Sequence, residues 1–579
     1  MQKAFYLSSM ILLAGFTACQ QEPALPGDDV IRVNQVGYYP NQQKVAVIED
    51  SLAAAGPYSL IDANGKTVWT GEAQAETVSA WSGKRRVTID FSTVTTPGSY
   101  KLRAGKYEQP VVIAPQALKE LTTAAMKSYY LQRTAMPIEE QYAGVYARPA
   151  AHPDTVVNVH PSAASKARPA GTVISSPYGW YDAGDFNKYI VNSGFTIGTM
   201  LNAYQQAPEA FNALDLNIPE SGNDVPDFLD EIMYNLRWMI TMQDPSDGGV
   251  YHKLTTPNFE AFIMPIEAKQ PRYVVQKSTP AALDYAATLA QASRIYKDYP
   301  AYADFANEAL SAAEAAYRWA LKNPNVLYDQ DGNNEKFEPK INTGKYDDTS
   351  TGDEFFWAAT ELYLATGKAD YRTDAEKYAP ATFDIPVWGD LAGLGTFAWI
   401  NAGDSAMIAQ LAPALIEYAD AQLAKVSTSS FHSPFGNVPT DFHWASMPES
   451  CAGMGLSLMY AYAVTGDKKY LDGAMQNVDH LLGRNAVGYC FVTGFGTRPV
   501  MHPHQRISTA DSIEAPLPGF FSGGPNPGQQ DKAYTPAYPS DYPDESYLDD
   551  MSSYASNEIA INWNAYLVAL CGWVNAVAE

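Results

Sequence analysis

Residues 98–133 read GSYKLRAGKYEQPVVIAPQALKELTTAAMKSYYLQR, and the hydrophobic period changes inside them. As far as Ile113 apolar and polar residues alternate, the mark of a strand with one buried face. From about Pro115 onward the period is near 3.6, the mark of an amphipathic helix. This switch divides the chain into a β part and an α part.

Upstream of it, IRVNQVGY (31–38), KVAVIED (44–50), YSLIDANGKTVWTG (58–71) and RRVTIDF (85–91) are further short alternating runs separated by turn residues. Asn64-Gly65 signals a hairpin, because both residues tolerate positive φ. The spacing predicts a β-sandwich of immunoglobulin-like size over residues 29–114, without the Cys…Trp…Cys pattern of antibody domains. Downstream, residues 115–579 read as alanine-rich helices in consecutive pairs, about twelve in all, among them weaker ones after Asp185, after Ala369 and around Trp388. No fixed sequence period accompanies the pairs, which argues against a tandem solenoid and fits a closed ring of six pairs. Two long segments, from about Met136 to Tyr178 and from Val487 to Tyr554, lack a sustained period and are rich in Pro, Gly, His and Tyr. Loops of that length in a compact domain are usually functional or disordered, and the aromatic content of these two favours function.

The N-terminal MQKAFYLSSMILLAGFTA has Lys3, an apolar stretch and small residues before Cys19, the layout of a secretory signal over residues 1–18. Phe16-Thr17-Ala18-Cys19 resembles a bacterial lipoprotein cleavage site, with Phe16 where Leu is more usual. Lipidation of Cys19, a linker over 19–28 and a cell-envelope protein held at the outer membrane by its lipid follow as expectations. No later apolar run approaches the length of a transmembrane helix. Cys451, Cys490 and Cys571 then remain, an odd number without zinc-site spacing, and read as buried free thiols.

The chain of 579 residues carries 39 Lys+Arg against 64 Asp+Glu, a net charge of -25. With no basic run, nucleic acid is excluded as a partner, since phosphate recognition needs a basic face. The 38 Tyr and 11 Trp suit a surface that stacks on flat ligands such as sugar rings, although a tyrosine-rich core explains them equally. A monomer is expected.

Three segments hold candidate chemistry. In Gly179-Trp180-Tyr181-Asp182-Ala183-Gly184-Asp185 a helical or turn conformation puts both carboxylates on one side, where they can deprotonate a water or ligate a hard cation. Glu558 follows Ser556 and Asn557, either of which serves as N-cap of the last apolar helix, so Glu558 is expected in its first turn as a dipole-stabilised carboxylate. A general acid at that place needs burial to raise its pKa against the dipole. The Gly/Pro loop 491–506 sets two histidines beside two arginines and suits hydrogen bonding to hydroxyls, with a plain structural loop as the alternative. Nucleotide-binding glycine loops, G-x-S-x-G and H-E-x-x-H are absent.

In order and approximate spacing, GWYDAGDFNKY, IPESGNDVPDFLDE, DGGVYHK, DEFFWAATELYLATG, LLGRNAVGYCFVTGFG, PHQR and SNEIAINWNA resemble the motifs of glycoside hydrolase family nine. The segment IRVNQVGY resembles the immunoglobulin-like domain that precedes the catalytic domain in one branch of that family. The resemblance implies an all-α (α/α)6 barrel and an inverting endoglucanase of β-1,4-glucans: cellulose-type, mixed-linkage glucan or xyloglucan. It implies Asp185 as general base, Asp182 as its partner in holding the water, and Glu558 as general acid. It further implies that His504 and Arg506 hydrogen-bond the sugar, that Trp444 stacks on it, and that Tyr181 and Trp388 line the cleft. Inversion requires acid and base about 6.5 to 9.5 Å apart, with a water between base and sugar. Two carboxylates of one short segment are too close to flank a sugar, and the third supplies the other side.

Gln505 stands where many relatives have a second histidine, and Met447 and Pro448 stand where some have an arginine. The loop before Asp182 has His152 and His160 but no cysteine, so zinc is not expected. No cofactor is expected for catalysis, and a structural calcium in an acidic loop has no assigned residues. The alternatives are an exo-acting β-glucosidase or glucosaminidase, with the long loop from Met136 closing one end of the cleft, and a non-catalytic glycan-binding lipoprotein.

Overall fold

The computed structural model describes residues 25–578, so the expected signal segment, Cys19 and the first part of the linker lie outside the described residues. Nine strands build a sandwich: β1 (Leu25–Pro26), β2 (Ile31–Arg32), β3 (Val45–Ile48), β4 (Tyr58–Asp62), β5 (Thr67–Gly71), β6 (Ala75–Val78), β7 (Arg85–Asp90), β8 (Gly98–Ala104) and β9 (Tyr107–Ile113). One sheet has the order β1-β9-β8-β4-β5 and the other β2-β3-β7-β6. The alternation is visible in burial: Tyr100, Leu102 and Ala104 of β8 and Val111 and Ile113 of β9 face a core shared with Leu60, Ile89 and Phe91. At the Asn64-Gly65 turn, Asp62 Oδ1 accepts from the backbone N–H groups of Asn64 and Lys66, both at 2.9 Å. The sheet begins earlier than the sequence reading places it, since Leu25–Pro26 in the expected linker pair in parallel with Tyr107–Glu108.

Twelve helices of ten or more residues follow among the described residues: α1 (Lys119–Leu131), α2 (Ile190–Gln206), α3 (Asp227–Thr241), α4 (Thr279–Tyr296), α5 (Ala303–Lys322), α6 (Gly352–Thr366), α7 (Ala369–Tyr378), α8 (Ala392–Ala402), α9 (Ser405–Leu423), α10 (Gly453–Thr465), α11 (Lys468–Leu481) and α12 (Ile561–Val577). The even-numbered helices pack in the cyclic order α2, α4, α6, α8, α10, α12 and back to α2, and the odd-numbered ones lie against them from outside. This is an (α/α)6 barrel. Its inner helices are apolar nearly all round because both their faces are covered, whereas the outer α3, α5 and α11 are amphipathic. Where inner helices approach most closely the sequence supplies glycine: a Cβ on Gly198 of α2 would stand 2.4 Å from the ring of Trp357 on α6.

Three local expectations are corrected. Around Trp388 the chain makes a tight Val387–Asp390 turn, and the helix starts only at Ala392, whose N–H is taken by Asp390. The last helix starts at Ile561 rather than next to Asn557, because Glu558 and Ile559 are extended and bridge to His504 and Ser522. The segment 136–178, read as irregular, contributes β10 (Val157–Val159) and β11 (Val173–Ile174) to a sheet completed by β12 (Lys188–Tyr189), β13 (Lys253–Thr255) and β14 (Arg272–Val274).

The sandwich is fastened to the barrel beside α11. Asn34 donates to Asp479 at 2.9 Å, and the Gln35 N–H donates to the Leu482 carbonyl at 2.9 Å. At the tip of the β6–β7 hairpin, Trp81 Nε1 donates to Asp544 at 2.5 Å and Lys84 pairs with Glu545 at 2.7 Å.

Candidate active site

Strand β12 pairs with β13 immediately after the Asp182–Asp185 turn and so fixes where that turn ends. The turn is closed by the Asp182 N–H, which donates to the Asn187 carbonyl at 3.1 Å. Both carboxylates point into the mouth of the barrel, as the spacing predicts. Asp182 accepts from Asn192 Nδ2 at 2.8 Å and from the Tyr346 hydroxyl at 2.7 Å. Asp185 Oδ2 accepts from Asn187 and from Tyr189, while its Oδ1 has no partner among the described residues. Burial, and then the charge of Asp185, push the Asp182 carboxyl upward. Tyr346 adopts a positive φ of 47°, and the neighbouring Thr343 and Gly344 are held by the buried Nζ of Lys253.

Glu558 reaches the same space from the far end of the chain. Its backbone runs beside His504, and its carbonyl accepts from the Gly523 N–H at 3.1 Å. Among the described residues no side chain hydrogen-bonds its carboxyl. Burial, and then the charge of Asp185, push that carboxyl up to about 8, with Arg506 pulling the other way. Gly184 allows the two segments to meet: a Cβ there would stand 2.2 Å from the His504 carbonyl and 3.2 Å from Glu558 Oε1. Because Glu558 lies ahead of the helix rather than in its first turn, the expected dipole stabilisation gives way to burial.

A cavity of about 700 Å³ joins these groups. His504, Arg506, Trp444 and Trp388 line it together with the three carboxylates. His504 Nδ1 lies 2.7 Å from the Met551 carbonyl, which can only accept, so Nδ1 carries the proton. Burial pushes this imidazole down to about 4, leaving a neutral ring with Nε2 as an acceptor. Arg506 spends Nη1 on the Gly184 carbonyl at 2.7 Å and Nε on the Glu260 carbonyl at 2.8 Å. Trp444 packs on Tyr554 with ring centres 5.4 Å apart, and Trp388 meets Tyr346 at 5.1 Å. Tyr181 is the exception. It is 1% exposed, packs on Phe186 and bonds His152, so it lies behind the catalytic turn rather than in the cleft wall.

Several functional positions escaped the sequence reading. Tyr346 lies in a loop far from any motif, Glu449 on the π-helical turn Ser446–Ala452, and Asn192, Asn562 and Trp563 sit in apolar helices where they read as core. The sequence signal for Glu449 is one charged residue at the start of the otherwise apolar run Ser446–Tyr460.

Among the described residues no three His, Cys, Asp or Glu side chains converge as a metal site. His160 bonds Ser162 and the Pro339 carbonyl, and His152 bonds Tyr181. A buried acidic group does occur under the start of α6: both carboxylate oxygens of Asp284 and of Glu354, and Oδ2 of Asp348, lack a donor. Cys451, Cys490 and Cys571 are buried and free.

Comparison with known proteins places this site in a family. Residues 119–571 match the model of glycosyl hydrolase family 9, and residues 27–109 match the cellulase N-terminal ig-like domain. The chain is 51% identical to a xyloglucan-specific endo-beta-1,4-glucanase of Bacteroides ovatus, over 99% of this chain and 98% of that one. It is 33% identical to endoglucanase D of Acetivibrio thermocellus, over 95% of this chain and 84% of that one. A solved Bacteroides ovatus GH9 structure superposes with a TM-score of 0.91 at 51% identity, covering 96% of this chain and all of that one. A metagenome-derived family 9 endoglucanase superposes at 0.85 with 33% identity, covering 94% of this chain and 99% of that one.

Proposed function

This chain belongs to glycosyl hydrolase family 9 and is an endo-β-1,4-glucanase, and from that premise we propose that it cuts the backbone of xyloglucan with inversion at the anomeric carbon. Asp185 is the base: the unpartnered Oδ1 accepts a proton from the attacking water. Asp182, held by Asn192 and Tyr346, orients that water. Glu558, whose carboxyl burial keeps protonated at neutral pH, donates to the departing glycosidic oxygen on the opposite side of the sugar. His504 Nε2 accepts from a sugar hydroxyl, and Trp444 and Trp388 supply faces on which pyranose rings stack. The observation that carries this reading is the meeting in one cavity of Asp185, whose buried Oδ1 has no hydrogen-bond partner among the described residues, and Glu558, whose carboxyl is raised by desolvation. The xyloglucan assignment rests on the 51% identical relative.

The test is a product profile on xyloglucan, mixed-linkage glucan and a soluble cellulose derivative, with anomeric configuration read by NMR in the first minutes. Mixed oligosaccharides released as the α-anomer, fastest from xyloglucan, are expected. Release of monosaccharide alone would replace the endo reading by an exo one, and the β-anomer would exclude inversion.

The anchor and the cation complete the proposal. Lys3, the apolar stretch and Cys19 support a lipoprotein of the outer membrane, acting as a monomer on soluble polysaccharide. A structural calcium is proposed without an assigned site, since among the described residues no three His, Cys, Asp or Glu side chains converge to hold one. Chelation should then lower Tm, and added Ca²⁺ should restore it.

A further inference from the structure

Glu449 lines the catalytic cavity, yet the reaction as assigned uses none of its atoms. It sits on a π-helical turn, Ser446–Ala452, that interrupts the approach to α10. That turn is held from outside itself: Ser446 Oγ donates to the Pro525 carbonyl at 2.6 Å and the Met447 N–H to the Gly523 carbonyl at 3.0 Å. Ala445, just before it, takes a left-handed φ of 63°, which costs a non-glycine residue on the order of 1–3 kcal/mol. Wide turns of this kind concentrate at functional sites.

The carboxyl itself is enclosed by protein with one face open to the cavity. Its one side-chain hydrogen bond among the described residues comes from Trp563 Nε1 at 3.4 Å, a long contact. Trp563 in turn packs on Ala445 and Ala560 and against Ala183, between the two aspartates of the catalytic turn. Glu449 is therefore tied through one indole to the catalytic centre and lies in the same wall as Trp444. A carboxyl removed from water without a cation beside it needs hydrogen-bonding partners, and the protein supplies one poor donor. The open face is where the others must come from. Burial also pushes this group up to about 7, so near neutrality it can both give and accept a hydrogen bond.

We propose that Glu449 is a substrate-binding residue that hydrogen-bonds an unsubstituted hydroxyl of the glucosyl unit resting against Trp444, and so selects for a bare glucosyl at that position of the backbone. This rests on the reading of the cavity as a β-glucan cleft. It adds a specificity element: a glucosyl branched at that hydroxyl leaves the carboxyl unpaired and fills the space before it.

The experiment compares Glu449→Gln and Glu449→Leu in two formats. In the active enzyme, kcat/KM on xyloglucan should fall about 10–100-fold for Glu449→Leu, the loss of a hydrogen bond to a partly charged group, and within about threefold for Glu449→Gln. In a Glu558→Gln background, where turnover is blocked, calorimetric affinity for cellotetraose should fall by a similar factor on adding Glu449→Leu, with Tm unchanged or raised. Wild-type affinity for cellotetraose in the folded Glu449→Leu protein would overturn the proposal. So would equal losses in both variants accompanied by a lower Tm, which would make the role structural. Wild-type turnover on β-glucans reports the glucanase reading separately from the binding comparison.

Discussion

The catalytic turn and the Glu558 corner present the same functional group in opposite surroundings. Asp182 and Asp185 are held by four side chains, Asn187, Tyr189, Asn192 and Tyr346, drawn from the turn itself, from α2 and from a distant loop. Glu558 has no side-chain donor among the described residues; its backbone is fixed beside His504, and its carboxyl meets the Gly184 backbone and the charge of Arg506. Donors fix the direction of the two aspartates and oppose the burial that also raises Asp182, whereas burial of Glu558 is opposed only by the charge of Arg506 and the Gly184 backbone. One cavity thus holds an aspartate with an unpartnered oxygen and a glutamate that burial raises, and the proposed division into base and acid rests on these surroundings rather than on residue type.

The strongest way to break this contrast is to remove each charge while keeping its shape. Asp185→Asn and Glu558→Gln should each lower kcat about 10²–10⁴-fold, with Tm and ligand affinity near wild type. If either variant kept near-normal turnover on xyloglucan, the division of roles would fail. Next in size is Gly184→Ala. Its methyl would have to displace the His504 carbonyl and press on Glu558, driving the two halves of the site apart. A loss of about 1–3 kcal/mol in stability should accompany a large loss of kcat, measured by thermal melts and initial rates. The pH dependence sharpens the same contrast. Since the Glu558 carboxyl is raised to about 8 and must be protonated to act, kcat/KM should be sustained at neutral pH and decline as pH rises through about 8. In Glu558→Gln the residual rate should lose that alkaline limb. Smaller again is Tyr346→Phe, which deletes the hydroxyl held by Asp182. We expect about a tenfold loss in kcat with KM little changed, and a change in KM alone would mean that Tyr346 serves binding instead.

How far each half could be read in the sequence differs for the same reason. The base turn was legible because its carboxylates, Asn187 and Tyr189 lie within eight residues and form one local motif. The sandwich and the barrel were legible from the change of period near Pro115, since burial on one face or on two is written directly into hydrophobic spacing. Glu558 was assigned to a helix start, and that failed for a tertiary reason. His504 and Ser522 bridge to Glu558 and Ile559, and the first free helical N–H, that of Ile561, goes to the Asp182 carbonyl at 2.8 Å. Long-range pairing thus overrode a strong local capping signal. Tyr181, placed in the cleft by the resemblance alone, lies behind the turn instead, packed on Phe186 and bonded to His152. Tyr346 gave no local signal, being brought to the site by a loop, and Glu449 gave only the weak one of a lone charge in an uncharged run.

The smallest expected effect concerns the sandwich, which touches only one side of this comparison. Trp81 at the tip of its β6–β7 hairpin packs on Phe442 with ring centres 6.1 Å apart and donates to Asp544. Phe442 lies two residues before Trp444, and Asp544 lies in the long loop that ends at Tyr554 and Glu558. The hairpin therefore braces both segments that carry the Trp444–Tyr554 pair, and it makes no such contact with the Asp182–Asp185 turn. Trp81→Ala should raise KM on xyloglucan about two- to fivefold, because a small displacement of a stacking wall weakens binding more than chemistry. Its kcat and the position of the alkaline limb should stay near wild type. A matching fall in kcat would show that the brace extends through Tyr554 to the acid, and the two halves of the site would then differ in hydrogen bonding but share one mechanical support.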